Sequence, residues 1–153
     1  MSKYIDKIDA KIIELLQKNG RMHNKEISKR AKISEATVRN RLERLLKEQI
    51  IKIVAVADPF KLGFGLVGNL RIKVDIKMVE HVGDELRKLD EVWYVGQITG
   101  DSDFDVEFIV ESLDCLNELL VHKISSIEGI ISTKTHLVLR HFKHSYDWGT
   151  ALD

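Results

Sequence analysis

The chain opens with a helical rhythm of apolar positions. Ile5, Ile8, Ile12, Leu15 and Leu16 fall on one stripe between Ile5 and Gln17, with Asp6, Asp9 and Glu14 mostly outside it, which predicts a first helix. Asn19-Gly20 is the stop signal, because glycine readily takes the left-handed conformation found at helix ends. A second short helix is predicted over Lys25–Ala31, with Asn24 as N-cap, Glu26 in its first turn, and Ile27 and Ala31 on its buried side. After a tight connection at Lys32-Ile33, Ser34 caps a third helix that runs to about Glu48. On a wheel, Val38, Leu42, Leu45 and Leu46 form its inner face. Ala36, Thr37, Asn40 and Arg44 point the other way, and Arg39 and Arg41 lie on the flanks.

Beyond Ile50 the period shortens. Ile51, Ile53, Ala55 and Ala57 alternate with Lys52, Val54, Val56 and Asp58 until Pro59, which predicts a linker strand. Leu70, Ile72, Val74 and Ile76 alternate with Arg71, Lys73, Asp75 and Lys77 as a half-buried strand, and Val79–Leu89 returns to helical spacing. Val92–Thr99 and Phe104–Val110 read as two strands around the loop Gly100-Asp101-Ser102-Asp103. Ser112 caps a helix to about Ser125, Gly129 turns the chain, and Ile130–Phe142 is a last strand. The order is β-α-β-β-α-β, the ferredoxin-like arrangement, with one sheet face covered by helices. The other face, with this aliphatic content, is expected to pair with a second copy.

Charge divides the chain where the period does. The 24 Lys and Arg balance the 24 Asp and Glu, yet 14 basic against 7 acidic residues lie at or before Lys52, and 10 against 17 after it. A small basic segment joined to an acidic one points to a polyanion-binding module fused to a second activity. With 44% hydrophobic residues and one proline the composition is globular. No apolar run approaches the ~20 residues that cross a bilayer. The Met1-Ser2-Lys3 start meets Asp6 and Asp9 before a signal-peptide core could form, so a cytoplasmic location is expected. Cys115 is the single cysteine, so neither a disulfide framework nor a cysteine zinc cage forms within one chain. Abundant Ile, Lys and Glu lean towards a thermophilic source.

Several motifs carry less chemistry than their letters suggest. Gly63-Phe64-Gly65-Leu66-Val67-Gly68 matches the dinucleotide fingerprint, but a strand follows where a phosphate-binding helix would have to begin. Asp101, Asp103 and Asp105 are spaced like a calcium loop, yet Val106 and Ser112 stand where that loop needs Gly and Glu. What remains is either a turn stabilised by Asp side chains, or a loop able to hold an ammonium group on its carboxylates and an anion on its backbone N–H groups. His136, His141 and His144 lie in or just beyond the last strand. The odd spacing of the first two sends them to opposite faces, so no metal site and no cofactor are expected. Trp93 and Trp148 read as packing or interface residues.

These parts together resemble the Lrp/AsnC family, the feast/famine transcription regulators, over nearly all of residues 5 to 143. Ile5-Asp6 followed by Asp9 is similar to the family's opening, and Asn19-Gly20-Arg21 to its first turn. Ser34 through Val38, Arg41 and Leu45 resemble its recognition helix, and Asp58-Pro59 with Leu62-Gly63 the exit from its linker. Gln49 stands where a glycine usually precedes that linker. Thr99-Gly100-Asp101-Ser102-Asp103-Phe104 resembles the loop where the sensor domain receives an amino acid between neighbouring dimers, and Thr133 and Thr135 resemble positions that line the same cavity in some members.

The organisation so implied is α+β: an N-terminal winged-type helix-turn-helix domain over residues 1–50, a linker over 51–60, and a C-terminal ferredoxin-like (RAM) ligand-sensing and oligomerisation domain over 61–153. Residues Ser34 to Arg44 would dock in the major groove of double-stranded DNA, with Ala36, Thr37 and Asn40 at base edges. Lys29, Arg30, Arg39, Arg41 and Arg44 would meet phosphates. A homodimer, assembling further to a tetramer or octamer, would read a pseudo-palindromic operator with half-sites ~10 bp apart or a multiple of that. A small effector, an amino acid, would bind through Thr99 to Phe104 with Thr133 and Thr135. Gly100 and Asp101 would meet its carboxylate and amino group, and Asp103 would support the loop. Two rivals stand beside this reading. One is a decarboxylase of sirohaem or haem precursors, an enzyme class that reuses the architecture, acting through His136 or His141; the other is an architectural DNA-binding protein without a ligand.

Overall fold

Asp6 starts the first helix by accepting the backbone N–H groups of Ile8 and Asp9, each at 2.9 Å, while the Asp9 carboxylate reaches back to the N–H of Asp6 at 3.0 Å. This reciprocal cap opens α1 (Lys7–Lys18) in a computed structural model that describes residues 4–143 and 145–151. The Met1-Ser2-Lys3 start and His144 lie outside the described residues. Asn19 closes α1 with an extended backbone, and its side chain accepts the N–H of Arg21 at 3.0 Å. Gly20 is not in the left-handed region, so the Asn19 side chain, and not the glycine, shapes this turn. Helix α2 (Asn24–Ala31) takes His23 as its N-cap, so Asn24 is the first helical residue rather than the cap. It ends on Lys32 in the left-handed conformation, φ 55°. Ser34 caps α3 (Glu35–Lys47), its Oγ accepting the N–H of Thr37 at 3.0 Å.

The core of this unit is Ile12, Ile13, Leu15, Met22, Ile27, Val38 and Leu45. On α3 only Val38 and Leu45 are fully buried; Leu42 is half-buried and Leu46 is 40% exposed, so the inner face is narrower than the wheel implied. Arg44, placed on the outer face by the wheel, instead turns towards α1. The end of α3 has paired hydrogen bonds, Gln49 N–H to Leu46 O at 3.1 Å and Ile50 N–H to Leu45 O at 2.9 Å. That geometry forces Gln49 to φ 56°, a conformation that glycine adopts without strain.

By its contacts the helical unit comprises residues up to Val56 together with the tail from Phe142, and residues Ala57–His141 form a second unit. The tail is held on α1 by one side chain used twice: Gln17 Nε2 donates to Gly149 O at 3.2 Å, and Gly149 N–H donates to Gln17 Oε1 at 3.0 Å. The predicted linker strand is absent. Residues 51–57 have no ladder partner among the described residues, and Ile53, Val54 and Val56 are exposed. The helical unit carries no strand, hence no wing, among the described residues.

In the second unit, Pro59 opens a single helical turn, Phe60–Leu62, closed by Gly63 at φ 99°. Then follow β1 (Leu66–Val74), a turn at Ile76–Met78, α4 (Val79–Leu86), β2 (Val92–Gln97) and β3 (Phe104–Val110). Helix α5 (Leu113–Glu118) widens into a π-type segment (Leu119–Ile124) before β4 (Ile130–Leu137). The sheet is antiparallel, in the order β2-β3-β1-β4. This is the ferredoxin-like order that the sequence predicts, with β1 starting earlier than Leu70 and β4 ending before Phe142. Leu70, Ile72 and Val74 of β1 and Phe104, Val106, Phe108 and Val110 of β3 meet Val82, Leu86, Leu116, Leu119 and Ile124 from the helices. The glycines that mimic a dinucleotide motif serve close approach instead. A Cβ on Gly65 would lie 2.5 Å from the Glu111 carbonyl, and one on Gly68 would meet the His136 carbonyl and the Phe108 ring.

The opposite face of the sheet is mixed, with Val67, Ile109 and Tyr94 beside a row of polar residues. Register places Asn69, Arg71 and Lys73 of β1 there with Asp105 and Glu107 of β3 and Ser132, Lys134 and His136 of β4. Two substitutions test the local backbone account. Gln49→Gly relieves a left-handed glutamine and should stabilise the helical unit by about 0.5–1 kcal/mol, a few degrees in Tm. Gly68→Ala should lower the melting temperature of the sheet unit, since neither a backbone carbonyl nor a fully buried ring yields readily.

Candidate nucleic-acid interface and effector loop

Lys29, Arg30, Ala36, Arg39 and Asn40 are exposed on α2 and α3, and Thr37 is half-buried. Ser34 Oγ and Thr37 Oγ1 share a hydrogen bond of 2.7 Å, so the two hydroxyls are ordered by the cap that starts α3. Arg30 pairs with Glu26 at 2.7 Å on the surface of α2; such an exposed i, i+4 pair is worth a few tenths of a kcal/mol, roughly, and yields readily to a phosphate. Lys29 and Arg39 have no ion pair among the described residues.

Arg41 and Arg44 differ from these in being engaged by carboxylates of the chain itself. Arg41 Nη1 donates to Asp6 Oδ2 at 2.7 Å and to Asp9 Oδ1 at 3.3 Å, and Arg44 Nη2 donates to Asp9 Oδ2 at 2.5 Å. Asp9 is only 1% exposed. A carboxylate so far from water is tolerable only with its cations in place, and stripping it of them is the kind of change that costs about 3–5 kcal/mol. The Asp9 N–H, the strongest of several donors, together with the Arg41 guanidinium, holds the Asp6 carboxyl below the usual carboxylate range. Hydrogen bonding to Asp6 in turn raises the Arg41 pKa. Asp9 was not singled out as a site residue from the sequence. The signal was present as two Asp residues three apart at a helix start and two Arg residues three apart on a later helix, but no local rule connects the pairs.

The β2–β3 loop is fastened to β1 through Asp103. Its N–H donates to the Ile72 carbonyl at 2.8 Å, and its carboxylate accepts the Val74 N–H at 2.8 Å and Lys73 Nζ at 3.4 Å. Ser102 and Phe104 turn into the protein and are buried, so neither presents its side chain to solvent. Thr99, Gly100 and Asp101 are exposed, and Gly100 has φ 122°. Asp101 meets Lys134 of β4 at 3.4 Å, and that hydrogen bond holds the Asp101 carboxyl below its ordinary pKa. Lys134, like Lys73 and Arg71, is a partner of this loop that the sequence did not single out. Asp105 completes the series by pairing with Arg71 at 3.5 Å and accepting from Asn69 at 3.2 Å. Each of the calcium-like aspartates therefore faces a cation of this chain, and no cluster of three potential metal ligands occurs among the described residues. Thr133 and Thr135 lie opposite Ile72 and Leu70, on the helix side of the sheet, whereas Lys134 lies opposite Arg71 on the open side. The loop and the two threonines thus address opposite faces of β4.

A model of the AsnC-type helix-turn-helix domain matches residues 5–46, and a model of the Lrp/AsnC ligand binding domain matches residues 69–148. The chain is 38% identical over 143 residues to an uncharacterised HTH-type transcriptional regulator of Pyrococcus abyssi, covering 93% of this chain and 90% of that one. The solved structure of Escherichia coli AsnC superposes with a TM-score of 0.80 at 29% identity, covering 92% of this chain and 95% of the other. A transcriptional regulator of Neisseria meningitidis, solved as a complex with L-methionine, superposes with a TM-score of 0.83 at 26% identity, covering 94% and 95%. No helix among the described residues is long and apolar enough to cross a membrane.

The lowered pKa of Asp6 fixes a pH dependence. A group whose pKa is depressed by folding stabilises the fold above its unfolded value and loses that contribution as pH falls through the folded value. Asp6→Asn should therefore melt below the parent protein at pH 7, and the gap should close as the pH drops below about 4. A gap independent of pH between 7 and 3, followed by circular dichroism, would show that the carboxylate charge is irrelevant there.

Proposed function

The chain belongs to the Lrp/AsnC family of transcriptional regulators, and on that premise we propose that it binds duplex DNA sequence-specifically through α3 and that an amino acid tunes its assembly or its grip. The observation that carries the first part is the outward row on α2 and α3, where Lys29 and Arg39 are exposed and unpaired among the described residues beside small, exposed Ala36 and Asn40. Side chains of that size admit the helix to a major groove, and free cations release counterions from phosphates. Asn40 and Thr37 are the polar side chains assigned to base edges, and Arg30 joins Lys29 and Arg39 on the backbone. Dimers presenting two such helices require a pseudo-palindromic operator.

The second part rests on the exposed Thr99-Gly100-Asp101 stretch, with its carboxylate and its left-handed glycine, and on the methionine held by the Neisseria relative. Asp101 supplies the anion for an α-ammonium group and the backbone around Gly100 supplies donors for the α-carboxylate. Asp103 holds the loop without touching the ligand. Since Thr133 and Thr135 address the other face of β4, they and the loop serve one effector site only when different copies of the chain contribute them. An effector seated between copies binds the assembled form better than the separated one, which is the differential affinity that regulation requires. Relatives named as transcriptional regulators favour this reading over the decarboxylase one.

Selection of bound sequences from random duplex DNA should return a pseudo-palindrome, and on that site Lys29→Ala and Arg39→Ala should each reduce the salt slope of log K by about one. A slope unchanged by both would remove the phosphate assignments. A thermal-shift panel over the amino acids should raise Tm with at least one of them, by about 2.7 kcal/mol of stabilisation at a hundredfold excess over Kd. Asp101→Ala should keep the operator affinity and lose that shift; a flat panel with the parent protein would favour the ligand-free architectural reading.

A further inference from the structure

Resting on the DNA-binding reading above, we propose that Asp9 is a positioning residue for recognition: it grips Arg41 and Arg44, and thereby sets the rotation of α3 that turns Ala36, Arg39 and Asn40 outward. The apolar contacts of α3 leave this rotation under-determined. Val38 and Leu45 are its only fully buried side chains, and at roughly 100° per residue they sit almost on one line along the helix. A seam of two aliphatic side chains resists separation but resists rolling weakly, since dispersion contacts have little directionality.

The polar contacts supply the missing constraint. Arg41 and Arg44 stand on one flank of the seam, and both reach the same carboxylate, at 3.3 and 2.5 Å. Asp9 Oδ2 also accepts the N–H of Asp6, so the clamp is anchored in the cap that starts α1. Asp6 takes the second contact of Arg41 at 2.7 Å. Two arginines one turn apart, fixed to one buried point, define both the axial position and the roll of the helix. Sealed as it is, Asp9 cannot release its arginines to phosphates without standing charged and unpartnered. The guanidinium groups therefore orient the reading face and stay out of the phosphate count. This assigns affinity to Lys29, Arg30 and Arg39 and fidelity to Asp9.

The test is a set of binding isotherms on the selected site and on a scrambled duplex, over a range of KCl concentrations, for the full chain and its Asp9→Asn, Asp9→Glu and Arg41→Gln variants. Asp9→Asn should lose at least tenfold on the selected site and little on the scrambled duplex, with an unchanged salt slope. Asp9→Glu, which keeps the charge, should recover part of the discrimination. Arg41→Gln should also leave the slope unchanged. Discrimination equal to the parent in Asp9→Asn overturns the proposal, and so does a slope reduced by about one in Arg41→Gln, which would make that arginine a phosphate ligand. Should Asp9→Asn fail to fold by circular dichroism, the Arg41→Gln slope decides alone. A parent protein that binds neither duplex would sink the underlying reading instead.

Discussion

A carboxylate withdrawn from water at the start of α1 is the point at which α1 and α3 are tied together. Asp9 must have its donors, and the sequence supplies them from two directions: the backbone at Asp6 and the guanidinium groups of Arg41 and Arg44. Hydrophobic burial brings the helices together, but it is tolerant of sliding and rolling; ionic hydrogen bonds with fixed acceptors are not. Two of the arginines in α3 are engaged by carboxylates of α1 and its cap.

The sheet unit solves a related problem on a larger scale. Its open face carries alternating charges, Asp101 against Lys134, Asp103 against Lys73, and Asp105 against Arg71, running from loop to strand. The middle pair is the firmest, because Asp103 also closes the backbone of β1 at Val74. Asp103 fixes the middle of the loop to β1, while Thr99, Gly100 and Asp101 before it are exposed. Asp101 and Lys134 are both well exposed, so their attraction is screened and gives way at small expense in free energy.

Much of this was legible in the alternation of side chains. The strands β1 and β3, the caps at Ser34 and Ser112 and the turn at Gly129 follow from local rules, because strand period, cap chemistry and left-handed glycine each act over a few residues. What was not legible required knowing what lies across from a residue. Asp9 looks like any charged residue in a first turn until Arg41 and Arg44 are brought to it. Thr133 and Thr135 look like neighbours of the loop until the register of β4 sends them to the far face. The stretch from Ile51 to Ala57 has the pattern of a strand, but a pattern does not provide a hydrogen-bonding partner. Gln49 is instructive in the other direction: a glycine-like backbone was set by the end of α3 and the chain tolerates glutamine there.

The clasp between Gln17 and Gly149 changes how the two units should be counted. Because the tail returns to the helices, residues 57–141 are spliced into the helical unit rather than hung from its end, with junctions at Val56 and at Phe142. A chimera that transplants either unit must therefore preserve two seams in the chain instead of one.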